Sequence, residues 1–167
     1  MQLSEQEKIR RESLEEIRKM GIDPYPAEEF KTNVLSNEVL ASFDDDKKNY
    51  QDVVMAGRIM SRRIMGKASF AEIQDSAGRI QLYITRDDIC PGENKDFYNI
   101  VFKRHLDIGD FIGIKGFVFR TQMGEITVHV KELKILSKSI RPLPVVKEKE
   151  GKVYDAFTDP EMRYRQR

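Results

Sequence analysis

At 167 residues the chain has the length of one domain with a single core, a class that runs from roughly 100 to 200 residues. Its 40% hydrophobic and 34% charged content excludes a wholly disordered chain, and no apolar run approaches the roughly 20 residues of a bilayer helix. The single cysteine, Cys90, excludes an internal disulfide and a cysteine metal cluster, and the charged N-terminus carries no secretion signal, so the expected compartment is the cytosol.

The first element announces itself at Ser4, followed three residues later by Glu7. This is a capping box, in which each side chain satisfies a backbone N–H of the other residue. A helix is predicted from there, with Ile9, Leu14, Ile17 and Met20 as its apolar stripe and Gly21 as its left-handed cap. Asp23-Pro24-Tyr25-Pro26 then imposes an extended connection. A second, short helix is expected after Ser36, ending before the polar run Asp44 to Asn49.

From Asp52 the apolar period changes from helical to alternating. The first predicted strand covers Val53 to Ile64, with a bulge or bend near Gly57. Strands two and three, Ser69 to Asp75 and Arg79 to Thr85, form a hairpin across Ser76-Ala77-Gly78. A helix over Asn94 to Leu106 follows, burying Phe97, Ile100, Val101 and one of Phe102 or Leu106. Strand four covers Asp110 to Thr121, Gln122-Met123-Gly124 turns the chain, and strand five covers Glu125 to Leu136. The expected fold is therefore mainly β: a five-stranded OB-fold barrel with a helix between strands three and four, preceded by N-terminal α-helices. The expected division is a helical extension over 1–50, the barrel over 51–138, and a linker over 139–167 that begins another domain.

Alternation also sorts the hairpin's two faces. Ala71 and Ile73 share a face with Ile80, Leu82 and Ile84, which makes that face the interior. The other face carries Phe70, Glu72, Gln74, Arg79, Gln81 and Tyr83. Rings beside amide and guanidinium groups suit single-stranded nucleic acid, because unstacked bases need a flat apolar surface and their edges need donors and acceptors. The competing reading has Phe70 closing one end of the barrel and Tyr83 packed under an N-terminal helix. Net charge is only +1, yet Arg58, Arg62, Arg63 and Lys67 are opposed by Asp52 alone between Asp52 and Phe70. That local basic face either attracts phosphate or protects a strand edge from aggregation.

Other residues carry less. His105 and His129 have no partners at metal-ligand or acid–base spacing and read as structural. Asp87-Asp88 reads as loop solvation, and Cys90 as a loop residue without special chemistry. No nucleophile–base pair and no glycine-rich phosphate cradle stands out.

The stretch Ala56 to Phe70, AGRIMSRRIMGKASF, resembles the first two strands of bacterial-type lysyl-tRNA synthetases. Gln74-Asp75, GRIQLY over Gly78 to Tyr83, LDIGD over Leu106 to Asp110, RPLP over Arg141 to Pro144, and RYRQR over Arg163 to Arg167 continue the likeness in order. The resemblance implies an anticodon-binding domain ahead of a class II catalytic domain, in a homodimeric, cytoplasmic enzyme that attaches lysine to its tRNA using ATP and magnesium. It further implies that a central anticodon uridine stacks on Phe70 and is read by Arg63 and Gln81, with Glu125 near a neighbouring base. Arg58, Arg62, Lys67, Arg79 and Tyr83 are the expected backbone or flanking contacts. The catalytic motifs are expected beyond Arg167, so this chain should bind RNA, need no cofactor of its own and catalyse nothing. Two alternatives remain at this stage: the equivalent domain of an aspartyl- or asparaginyl-tRNA synthetase, and a non-enzymatic single-stranded nucleic-acid-binding OB protein.

Overall fold

The computed structural model describes residues 3–143, 147–149 and 152–154. Helix α1 (Glu5–Lys19) starts at Ser4, whose side chain accepts from the Glu7 N–H while Glu7 accepts from the Ser4 N–H. It ends at Gly21, where φ of +75° favours a residue without Cβ. Helix α2 (Ser36–Ser42) follows the extended connection. Strands β1 (Val53–Met65), β2 (Ala68–Gln74), β3 (Arg79–Thr85), β4 (Phe111–Arg120) and β5 (Ile126–Ser137) close a barrel in the order β1-β2-β3-β5-β4. All its pairings are antiparallel except β3 with β5, which run parallel. Between β3 and β4 lie a single turn, α3 (Arg86–Ile89), and a π-helix, α4 (Phe97–His105).

The interior is the expected alternating set. Ala71, Ile73, Ile80, Leu82 and Ile84 are buried, joined by Met55, Ile59, Ile112, Ile114, Val128 and Val130 from the other strands. Helix α4 stoppers one end with Tyr98 and Phe102, whose rings stack at 5.5 Å. The Tyr98 hydroxyl meets that of the buried Ser69 at 2.8 Å, so the plug's polar tip is satisfied where water is excluded. Phe70, on the face of β2 alternate to Ala71 and Ile73, is only half-buried.

Several expectations are corrected. The buried stripe of α1 is Arg10, Ser13, Leu14 and Ile17, while Ile9 and Met20 are exposed. The spacing is still helical, but Arg10 donates to the carbonyls of Ile108 (2.8 Å) and Ser139 (3.1 Å), so part of the contact is hydrogen bonding and carries no hydropathy signal. In α4 the buried residues are Tyr98, Val101, Phe102 and Leu106, with Phe97 and Ile100 only half-buried. Its backbone ladder is wider than that of an α-helix, with the Leu106 N–H donating to the Val101 carbonyl at 2.9 Å, and the buried face lies one residue on from the expected one.

The β1 bulge falls between Ile59 and Ser61 rather than at Gly57. Gly57 instead marks a close approach, since a Cβ there would lie 2.8 Å from the Gln74 carbonyl oxygen. Asp87 and Asp88 sit in α3, not in a loop, and Cys90 is buried in the core. Within the expected linker, β6 (Lys147–Lys149) pairs antiparallel with β7 (Lys152–Tyr154) as a separate two-stranded sheet. The Arg163 to Arg167 segment lies outside the described residues.

Candidate nucleic-acid interface

On the outer face of the barrel, β1 and β3 flank β2 so that Arg63 lies opposite Phe70, Phe70 opposite Tyr83, and Glu72 opposite Gln81. A cleft of about 400 Å³ opens over this patch. Arg63, Phe70, Gln81 and Glu125 all line it, with Ser61 and Glu72 beside them and Thr121 and Met123 from the β4–β5 turn along its rim. That turn is held by the Thr121 N–H donating to the Glu125 carbonyl (2.9 Å) and by the Glu125 N–H donating to the Thr121 hydroxyl (3.1 Å). Gly124, at φ +86°, supplies its left-handed residue. Met123 at 93% exposure offers the cleft an apolar edge that is already solvated.

Phe70 is half-buried, with one side of its ring backed by Tyr83 at 5.2 Å. Tyr83 in turn touches Phe119 at 6.1 Å and His129 at 5.1 Å. It lies within an aromatic strip with Phe70, Phe119 and His129. Phe70 is thus supported by Tyr83 while part of it remains accessible in the cleft. Gln81 donates from Nε2 to the Thr127 hydroxyl at 3.0 Å.

The remaining basic residues divide. Arg63 and Lys67 are exposed, Lys67 in the turn between β1 and β2. Arg79 is turned onto its own sheet, donating to Gln74 (3.0 Å) and Glu72 (3.2 Å). Arg58 lies outside the cleft with its guanidinium 4.5 Å from the Phe111 ring centre. Arg62 reaches the cleft wall, but its guanidinium donates to the Phe102 carbonyl and lies 5.7 Å from the Phe102 ring centre. Burial pulls its pKa down, against the raising influence of Asp107 and Asp110. It thus places one donor on α4, and in the sheet Arg62 pairs with the inward-facing Ala71 while Arg63 pairs with the outward-facing Phe70.

Sequence reasoning missed Thr127, a buried residue on the outer face of β5, and the cluster around Asp88. Asp88 accepts from Lys131, from the Thr85 hydroxyl (2.5 Å) and pairs with His129 Nε2 at 2.7 Å. Burial pushes its carboxyl pKa up, but those three hydrogen bonds outweigh it and hold the carboxyl well below the usual carboxylate range. His129 thus has an acid–base partner that sequence spacing, 41 residues apart, does not display. The described residues contain no group of three or more His, Cys, Asp or Glu placed to hold a metal ion. No helix among the described residues is long and apolar enough to cross a membrane.

The OB-fold nucleic acid binding domain family matches residues 53–136, the span of the barrel. Similar curated proteins include lysine–tRNA ligase of Porphyromonas gingivalis strain W83, 66% identical over 168 residues, covering 100% of this chain and 29% of that protein. Lysine–tRNA ligase of Azobacteroides pseudotrichonymphae is 61% identical over 165 residues (99% of this chain, 33% of that protein). That of Christiangramia forsetii is 58% identical over 167 residues (99% and 29%). The chain spans about a third or less of the length of these relatives.

Proposed function

This chain belongs to the family of OB-fold nucleic acid binding domains, and from that premise we propose that it is the anticodon-reading part of a lysine–tRNA ligase. The RNA it takes is the anticodon loop of a lysine-accepting tRNA. A pyrimidine splayed from that loop stacks on Phe70, its edge meets Gln81 and Arg63, and Glu125 approaches a neighbouring base. Lys67 contacts backbone phosphate. The observation that carries this reading is that Arg63, Phe70, Gln81 and Glu125, drawn from three strands and a turn, line one cleft in which Phe70 is only half-buried.

In the same reading residues 51–138 do the recognition, 1–50 brace the barrel, and 139–167 lead toward the ligase chemistry. Attachment of lysine, using ATP and magnesium, is in this reading the work of the full-length, homodimeric enzyme. The setting is the cytosol.

Titration of the chain with lysine anticodon stem-loops carrying each of the four bases at the centre tests the proposal. Preference for uridine is expected, and equal binding of all four overturns it in favour of a non-specific single-strand binder. Incubated with lysine, ATP and lysine tRNA, the chain alone should yield no charged product.

A further inference from the structure

Three residues form a short relay beneath the cleft. Gln81 Nε2 donates to Thr127 Oγ1 at 3.0 Å, and Thr127 Oγ1 donates to the Glu125 carbonyl at 3.2 Å. Thr127 lies opposite Gln81 on the neighbouring parallel strand and is fully buried, so its hydroxyl has no water as a substitute partner, while Gln81 is half-buried at the cleft. The relay has a direction. The Thr127 hydroxyl hydrogen is used on a carbonyl, which can only accept, so the oxygen facing Gln81 has only a lone pair to offer. The amide must answer with its NH₂ group, and Oε1 is turned away from β5. Within the described residues Oε1 accepts no hydrogen bond from the protein, and Gln81 lines the cleft.

The two faces of an amide read different bases. Oε1 with the second N–H of Nε2 presents an acceptor beside a donor, which complements the N3–H and carbonyl oxygen of uracil. Cytosine presents the reverse, an acceptor at N3 beside an amino donor, and fits only an amide rotated by half a turn. For an unanchored glutamine that rotation is a low-cost motion about the last side-chain bond. Anchored as it is here, rotation would aim Oε1 at the Thr127 oxygen, and only a hydroxyl turned away from the Glu125 carbonyl could put a hydrogen between them.

We propose that Thr127 is a specificity-determining positioning residue: through its hydrogen bond it locks the Gln81 amide in the orientation that accepts uracil and rejects cytosine. It touches no base itself. The inference rests on the reading of the cleft given above, and it adds the source of discrimination between the two pyrimidines.

The test uses the 167-residue chain, its Thr127→Val and Thr127→Ser variants, and two stem-loops that differ only by uridine or cytidine at the centre. Valine keeps the volume and the β-branch and removes the hydroxyl. With the amide free to take both orientations, affinity for the uridine loop should fall only about twofold. Affinity for the cytidine loop should rise, so that the uridine-to-cytidine ratio drops by about tenfold, the scale of one lost hydrogen bond. Thr127→Ser should restore the wild-type ratio. A gain for the wrong base is a result that structural damage does not produce. Equal losses for both loops, or an unchanged ratio, overturn the assignment of Thr127. If Thr127→Val does not fold by its thermal transition, Thr127→Ala carries the same expectation. Wild-type protein that binds both loops equally defeats the reading of the cleft itself, an outcome visible before any variant is made.

Discussion

Replacing Phe70 separates the binding role of the ring from its structural one. The ring leans on Tyr83 at 5.2 Å with 46° between planes, a pair that contributes roughly 0.5 to 1.5 kcal/mol beyond its buried area. Phe70 is only half-buried, so its removal stays below the roughly 3 to 5 kcal/mol that loss of a fully buried phenylalanine costs. That effect belongs to folding and is read from the urea midpoint. The accessible part of the ring is worth about 1 to 3 kcal/mol to a stacked base, a weakening of roughly 5- to 150-fold in Kd. It is read from anisotropy of a labelled lysine anticodon stem-loop. Phe70→Ala should lose on both axes. Phe70→Leu keeps most of the apolar volume against Tyr83 but offers no flat π surface, so it should recover most of the stability and little of the affinity. Wild-type affinity in Phe70→Leu refutes the stacking argument, because a branched aliphatic would then serve as well as a ring.

Counterion release makes affinity fall as salt rises, with a slope of about 0.7 per phosphate contact for a single strand. Lys67→Ala should lower that slope by about that amount, whereas Arg63→Ala, acting on a base edge, should cost affinity and leave the slope nearly unchanged. Asp88 has a depressed carboxyl pKa, so its stabilisation is present above the unfolded value, near 3.8, and is lost as pH falls through the lower folded value. Asp88→Asn should therefore be less stable than wild type at pH 7 by about 1.5 to 3 kcal/mol, with the gap closing below about pH 4 in urea unfolding series. Gly116→Ala would set a Cβ 1.9 Å from the His129 carbonyl oxygen, backbone that cannot swing aside. A loss above about 3 kcal/mol is expected, checked by the thermal transition followed by circular dichroism.

The barrel interior was legible because strand alternation is a strictly local rule: Ala71, Ile73, Ile80, Leu82 and Ile84 announce their face without knowledge of any partner strand. The contacts that escaped around the cleft and β5 depend on strand order. Thr127 meets Gln81 across 46 residues of chain, and Asp88 meets His129 across 41, and neither distance has any meaning until β5 is laid parallel to β3. The face of α1 was partly hidden for a different reason, since Arg10 anchors it through hydrogen bonds that hydropathy does not register.

The adjacent pair Arg62-Arg63 shows most sharply what periodicity cannot settle. Before the bulge, Arg58 lies opposite Gln74 and Ile59 opposite Ile73; after it, Ser61 lies opposite Glu72 and Arg63 opposite Phe70. Continued without the shift, the first register would put Arg62 opposite Phe70 and turn Arg63 toward α4, exchanging the two side chains. The shift occurs where β1 passes from β4 to β2, and there the Ile59 N–H donates to the Asp110 carbonyl while its own carbonyl accepts from the Gly109 N–H, both at 2.8 Å. That corner is fixed from behind. Burial pushes the Asp110 carboxyl pKa up, with the buried Lys138 ammonium, 2.9 Å away, acting in the opposite direction, and the Ser139 and Asp107 N–H groups complete the carboxyl's hydrogen bonds. The Leu106 to Asp110 segment thus contacts β1 at its register shift, beyond which Arg63 and not Arg62 stands opposite Phe70.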